Sequence, residues 1–214
     1  MHFKANIIIP VKNLSNSKNR LSPILKDEQR QLLVLVMLED IIRELNTSSL
    51  VNNIYILTDD DIIMKTASYR NVNVVIQKHG LDINNSLQEF LSEPPSEIAD
   101  HPIIILPSDL PLVKCETVEE IIKIISCSKP AIVISPAHDN GTNLIALQPG
   151  HIINFHYGEN SFRKHVFEAL KKGLSPLIYD SQDLALDLDT PEDAYQVVSI
   201  GGLRKTSLYL AHIL

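Results

Sequence analysis

Apolar residues arrive along this chain in short β-branched runs, separated by longer stretches where they recur every three or four positions. Ala5–Val11 (ANIIIPV) is apolar at almost every position and ends in a polar, charged loop, the pattern of a strand buried on both faces. Val51–Thr58, Val72–Ile76, Pro102–Leu106, Ala131–Ser135 and Leu144–Leu147 repeat it. Between them, helical spacing predicts helices near Asp27–Leu45, Asp60–Tyr69, Ile83–Glu93, Glu116–Ser126 and Phe162–Lys172. The first of these is apolar nearly all round (Leu32, Leu33, Leu35, Val36, Leu38, Ile41, Ile42, Leu45), so it should pack under the sheet, with Asp27 accepting from its free amides. Ser92–Pro102 reads as a loop. Thr190, followed by Pro191, Glu192 and Asp193, has the form of a helix N-cap.

Strand and helix in regular alternation predict a single-domain α/β fold with a mixed, mostly parallel sheet flanked by helices. The rhythm changes after Ser135, which predicts an antiparallel portion in the second half. Residues 1–198 form the expected domain. Residues 199–214 form a C-terminal helical tail after Gly201-Gly202, whose Leu203, Leu208, Leu210, Ile213 and Leu214 either close the core or motivate a homodimer.

Composition narrows the function. The chain has 214 residues, and its net charge of −7 lacks the footprint of a nucleic-acid or anionic-membrane binder. Leu32–Leu38, the longest apolar run, is too short to span a bilayer, and no signal-peptide pattern opens the sequence, so a cytoplasmic protein is expected. Cys115 and Cys127 stand apart, read as small, partly buried side chains, and make no zinc or disulfide framework. The eight histidines are scattered and read as surface or hydrogen-bonded residues.

Ligands of open α/β sheets bind beyond the carboxyl ends of the strands, so the polar groups there matter most. After the first strand come Lys12, Lys18 and Arg20, a basic loop in an acidic chain. It is either a solvated loop or an anion site; its place at a strand end favours the second. No Gly-rich phosphate loop is present, so side-chain cations would carry much of the phosphate binding. The fourth strand ends in Leu106-Pro107-Ser108-Asp109, where Asp109 is either a ligand for a hard cation or an N-cap. In the extended segment Leu186–Asp189, Asp187 and Asp189 share one face, roughly 7 Å apart, while Leu186 and Leu188 anchor the other. Two like charges so placed call for a positive partner, and a divalent ion completed by Asp109 would supply it. Asn140–Asn143 and Tyr157–Arg163 form a third segment. There Gly158 allows close approach and Ser161 either caps a helix or helps hold a small anion with Thr142.

Taken in order, Pro10-Val11-Lys12, Lys18–Pro23, Met37–Asp40, Pro107–Leu112, Gly141-Thr142-Asn143, Gly158-x-x-Ser161-Phe162 and Asp187–Asp193 resemble the 2-phospho-L-lactate guanylyltransferase family of coenzyme F420 biosynthesis. The motifs cover about residues 5–198. The resemblance implies a GT-A, MobA-like nucleotide-diphospho-sugar transferase fold. It also implies that GTP and a small phosphorylated three-carbon acid are joined with release of pyrophosphate, with Mg²⁺ as cofactor. It assigns the metal to Asp109, Asp187 and Asp189. The acceptor phosphate falls to Lys12, Thr142, Gly158 and Ser161, and the nucleotide phosphates to Lys18 and Arg20, with Pro107 and Asp109 beside them. Gly80 and Asn84 resemble the family's nucleotide-side Gly-Leu-Asn stretch, here interrupted by Asp82-Ile83. Catalysis would rest on Asp109, Lys12, Lys18 and Arg20. The rivals are another MobA-like or sugar-phosphate nucleotidyltransferase, which usually opens with a Gly-rich loop, and a non-catalytic GTP-binding domain, which would not need all three carboxylates.

Overall fold

The computed structural model describes residues 4–67, 72–99 and 101–214. Its strands are β1 (Ala5–Pro10), β2 (Val51–Thr58), β3 (Val72–Ile76), β4 (Ile103–Ile105), β5 (Ala131–Pro136), β6 (Thr142–Gln148) and β7 (Leu177–Ile178). Its helices are α1 (Asp27–Leu45), α2 (Asp61–Thr66), α3 (Ile83–Ser92), α4 (Ser96–Ala99), α5 (Cys115–Ile125), α6 (Ser161–Lys171), α7 (Gln182–Ala185), α8 (Pro191–Ile200) and α9 (Lys205–Ile213). Among the described residues the strands form one sheet in the order β3-β2-β1-β4-β6-β5-β7. β1 pairs in parallel with β2 and β4, whereas β6 runs antiparallel to both β4 and β5. The change of rhythm after Ser135 is this reversal. The order turns between β1 and β4, which makes their carboxyl ends the switch point where a doubly wound sheet opens a crevice.

Both faces of the sheet are covered, which is why β1 and β4 need apolar residues at consecutive positions. Ile7, Ile9 and Ile104 pack with α1, α5, α8 and Leu210 of α9 on one side. Ile8, Ile103 and Ile105 pack with Leu87 and Leu91 of α3, Ile98 and Ala169 of α6 on the other.

Some sequence expectations shift. α1 buries Leu33, Val34, Met37, Leu38, Ile41, Ile42 and Leu45 but leaves Leu32 47% exposed, so it has an outer face. Its N-cap is Lys26, and Asp27 accepts from Arg30 at 2.7 Å instead of from the helix amides. The 92–102 connection contains the short helix α4, and the pairs β7 and α7 are too short to carry a periodic signal. The helix expected to reach Tyr69 ends at Thr66, and Tyr69 lies outside the described residues. Cys127 is exposed, not partly buried.

The tail is integral. Asp40 of α1, 1% exposed, accepts from Lys205 N (3.1 Å), Thr206 N (2.7 Å) and Thr206 Oγ1 (2.8 Å), so it caps the start of α9 from a neighbouring helix. Leu210 is buried, while Leu203, Leu208 and Leu214 face outward. No helix among the described residues is long and apolar enough to cross a membrane.

Candidate active site

One lip of the crevice at the switch point is built from three segments. The first is the β1 loop. Backbone pairing carries β1 to Val11, whose N–H donates to Leu57 O, and two 3₁₀ turns (Leu14–Asn16, Asn19–Leu21) then fold the chain back. Asp60, buried at the end of β2, fixes that fold. One of its oxygens caps α2 through Ile62 N and Ile63 N, and the other accepts from Leu14 N at 2.9 Å. Lys18 sits between the turns in the left-handed region (φ 53°, ψ 39°), a conformation non-glycine residues hold only where the surroundings impose it.

The second segment follows β4 and the third precedes α8. Leu188 N donates to Asp109 O at 3.0 Å, which zips the two together. Leu186 and Leu188 are buried as anchors, as the alternation predicted. Thr190 is the predicted N-cap, and Thr190 and Asp193 form a reciprocal capping box. Asp109 caps nothing: the next helix, α5, starts at Cys115 with Lys114 as its N-cap.

Lys18 Nζ lies 2.8 Å from Asp109 Oδ2 and 2.6 Å from Asp189 Oδ1, with its side chain only 8% exposed. Burial alone would lower its pKa, but Asp109 and Asp189 together hold it above the ordinary lysine value. Burial works to raise the pKa of Asp189, yet Lys18 first, then Arg20 and Lys12, bring it below the usual carboxylate range. Arg20 Nη1 is 3.9 Å from Asp189 Oδ2 and largely exposed. Lys12 is exposed at the same rim.

Asp187 behaves differently. Burial first, then the charge of Asp109, push its pKa up to about 6, against weak relief from Asn143. The three carboxylates therefore feel one another's charge. The sequence expectation had them ring one cation with the lysines opposite. In the structure Asp109 and Asp189 instead close on Lys18, because an ammonium within reach is the available counter-charge for two adjacent anions. Among the described residues no three His, Cys, Asp or Glu side chains stand close enough to share a metal ion. The oxygen-only donors still match a hard cation in chemistry, and the raised pKa of Asp187 marks negative charge that Lys18 does not neutralise.

The other lip of the crevice forms around the start of β6. Ser135 pairs with Leu144 but Pro136 pairs with Thr142, so Asn143 is an extra residue on its strand. Such a bulge resets the alternation of faces. Thr142 turns toward α6, where its Oγ1 lies 3.1 Å from Ser161 Oγ and 3.0 Å from His165 Nδ1. Asn143 turns the other way and donates to Leu184 O at 2.8 Å, to Ala185 O at 3.3 Å and to Asp187 Oδ1 at 3.4 Å. One bulge thus positions both the hydroxyl lip and the acidic segment. Ser161 is the first residue of α6, not its cap; Asn160 holds the N-cap position without a side-chain bond. Gly158 (φ 120°) has no atom within 4 Å of where a Cβ would sit, so the loop is open there.

Gly80 (φ 82°) lies in the turn between the edge strand β3 and α3, after His79, whose Nδ1 is 3.0 Å from Asp59 Oδ2. Asn84 bonds to the chain itself. Its Oδ1 accepts from Tyr157 N at 2.6 Å and its Nδ2 donates to Tyr157 O at 3.1 Å, so it pins the Tyr157-Gly158 loop. Pro107 follows β4, half-buried, and directs the chain toward Asp109. Sequence reasoning passed over Asp60, Asn143 and His165. Only Asn143 had a signal, its place beside Thr142. A cavity of about 410 Å³ between α3, α4 and Gly150 includes Ile103 at the amino end of β4 and lies away from this crevice.

The guanylyl transferase CofC-like family model matches residues 5–214, which includes the tail that the motif resemblance leaves out. The chain is 35% identical over 208 residues to 2-phospho-L-lactate guanylyltransferase of Methanosphaera stadtmanae, spanning 96% of this chain and 89% of that one. It is 34% identical over 208 residues to the enzyme of that name from Methanocaldococcus jannaschii, spanning 97% and 88%. Among solved structures, a protein described as a nucleotide-diphospho-sugar transferase from Desulfovibrio desulfuricans has a TM-score of 0.80 at 19% identity, covering 99% of this chain and 95% of that one. A Mycobacterium tuberculosis protein in complex with manganese has a TM-score of 0.55 at 15% identity, covering 92% and 98%. These structural likenesses speak for the nucleotide-diphospho-sugar transferase fold, and the near-full-length sequence matches for more: the chain belongs to the guanylyl transferase CofC-like family.

Proposed function

We propose that the protein is a guanylyltransferase that joins the GMP part of GTP to 2-phospho-L-lactate, or to phosphoenolpyruvate or 3-phosphoglycerate, in coenzyme F420 biosynthesis. The observation that carries this reading is the meeting of Lys18, Asp109 and Asp189 at the switch point of the sheet. Relatives that bear the guanylyltransferase name over nearly the whole chain support it.

In this reading a phosphate oxygen of the acceptor attacks the α-phosphorus of GTP. The new oxygen–phosphorus bond forms as the bond to the β-phosphate bridging oxygen breaks, and that electron pair leaves with pyrophosphate. A phosphate dianion is nucleophilic as it stands, so no general base is required. The barrier is electrostatic, because two anions must meet while charge grows on the leaving group. Lys12 and Arg20 line the rim where an incoming triphosphate is drawn in, and Lys18 contributes a buried positive charge beneath it. Thr142, Gly158 and Ser161, on the other lip, receive the acceptor phosphate. Asp109, Asp187 and Asp189 would hold a divalent cation, Mg²⁺ in this reading, only once their oxygens draw together from the arrangement around Lys18; when bound it supplies neutralisation of phosphate charge. The outward-facing Leu203, Leu208 and Leu214 support a homodimer; a monomeric mass by light scattering would remove that part.

The decisive assay incubates the protein with GTP or ATP and each of the three acids, and measures pyrophosphate. Release from GTP that depends on one acid is expected, and no stimulation by any of the three overturns the assignment. Asp109→Asn should lower turnover on the order of 100-fold or more while the fold persists; wild-type-like turnover would take Asp109 out of the mechanism.

A further inference from the structure

His165 has no exposed surface, and both of its ring nitrogens are engaged. Nε2 lies 2.8 Å from the backbone nitrogen of His156. A backbone N–H can only donate, so Nε2 carries no hydrogen. In the neutral ring the hydrogen is then on Nδ1, 3.0 Å from Thr142 Oγ1. Thr142 and Ser161 are themselves buried, at 5% and 2% exposure, with their oxygens 3.1 Å apart. Burial, followed by the nearby His156, holds the ring's pKa down to about 4, so it is uncharged near neutral pH.

The hydrogens can be counted. Thr142 and Ser161 bring two hydroxyl hydrogens, and one of them lies in the bond between the two oxygens. Nδ1–H brings its own hydrogen to Thr142 and takes none. One hydroxyl hydrogen is therefore left over, at the point where the Gly158–Ser161 loop opens. With the other tautomer, Nδ1 would accept the Thr142 hydrogen, Ser161 would donate to Thr142, and nothing would be left to offer an anion.

We propose that His165 is a positioning residue for the acceptor, which sets the Thr142–Ser161 pair as a net hydrogen-bond donor to a phosphate oxygen. The inference rests on the acceptor assignment made above and goes beyond it by naming the group that sets the hydroxyls' direction. It also gives the His156 N–H contact a task, since that contact selects the tautomer.

Three variants and one spectrum test it. His165→Phe keeps a ring and removes both nitrogens, whereas His165→Asn retains an N–H near the Nδ1 position. His165→Phe should raise the acceptor KM about ten-fold or more, the ordinary worth of one hydrogen bond to a charged oxygen, with the GTP KM unchanged. His165→Asn should recover most of that loss, and Thr142→Val should make His165→Phe silent in the double variant. An unmoved acceptor KM in folded His165→Phe overturns the proposal, as does an equal rise in both KM values or no recovery with asparagine. Long-range proton–nitrogen NMR of the labelled full-length protein should show His165 protonated at Nδ1; protonation at Nε2 overturns it without any substrate present. Titration with inorganic phosphate gives the binding arm. Shifts at Thr142 and Ser161 should weaken about ten-fold in His165→Phe, and no phosphate response in the wild type overturns the proposal. If no acid stimulates pyrophosphate release while the tautomer and phosphate results hold, the assigned reaction fails and the role of His165 stands.

Discussion

Replacing Asp187 by asparagine keeps the shape of the side chain and removes its charge. In the wild-type chain burial, then Asp109, push the carboxyl from the ordinary 3.8 up to about 6. A folded-state pKa above the unfolded one means the folded form holds the proton more tightly. The resulting stability is present below about pH 4 and is lost as pH rises through about 6. A shift of about two units corresponds to ~3 kcal/mol. The group is only half-buried, so solvent screening reduces this to about 1–2 kcal/mol. Asp187→Asn has nothing to lose in that window. Its advantage over the wild type should grow from near zero at about pH 4 to about 1–2 kcal/mol above about pH 6.5, or roughly 2–8 °C in Tm for a chain of this length. Urea unfolding followed by circular dichroism across that range, without added metal, reads it directly. Turnover should fall in the same variant. Superimposable stability profiles, or a variant less stable at neutral pH, would refute the argument that Asp187 is held at a cost in the free protein.

Lys18→Met leaves Asp109 and Asp189 facing each other without their ammonium. Because both carboxylates keep some solvent contact, the loss should be about 1–3 kcal/mol, below that of a fully buried pair, and added Mn²⁺ should raise the Tm of this variant more than that of the wild type. An unchanged unfolding midpoint would show that the ion pair contributes nothing. Asp40→Ala strips the cap from α9 and leaves the amides of Lys205 and Thr206 without that acceptor. It should cost about 2–3 kcal/mol and expose the tail to limited proteolysis, and a wild-type digestion pattern would contradict it. Asn84→Ala frees the Tyr157-Gly158 loop, so the acceptor KM should rise and the GTP KM should not; a change in the GTP KM alone would return Asn84 to the nucleotide.

Much of this architecture was legible in the sequence for a physical reason. Strands covered on both faces must be apolar throughout, so β1, β2 and β4 announced themselves, and the parallel order followed from the helices between them. The acidic segment was legible too, since alternation puts Leu186 and Leu188 on one face and Asp187 and Asp189 on the other. What alternation could not give was a bulge. With an unbroken period of two, Thr142 would share a face with Leu144, yet the extra residue at Asn143 sends it to α6. The resemblance gave Thr142 to the acceptor phosphate but not its partners within the chain, Ser161 and His165.

Pairing was harder to see than placement. Lys18 and Asp109 are 91 positions apart, and Lys18 and Asp189 are 171 apart. Each could be put at a strand end from local sequence, but charge alone does not say whether a lysine faces an acidic cluster or enters it. Lys18 enters it from a left-handed backbone, which in a non-glycine residue no sequence rule predicts. His165 was obscured in a different way. In sequence it is one histidine among eight, on a helix with no paired ligand spacing. Its meaning comes from the backbone N–H of His156, which every non-proline residue possesses and which therefore leaves no trace in composition or motif. The groups that bind charge can be read as residues in order; the groups that orient them are set by the fold.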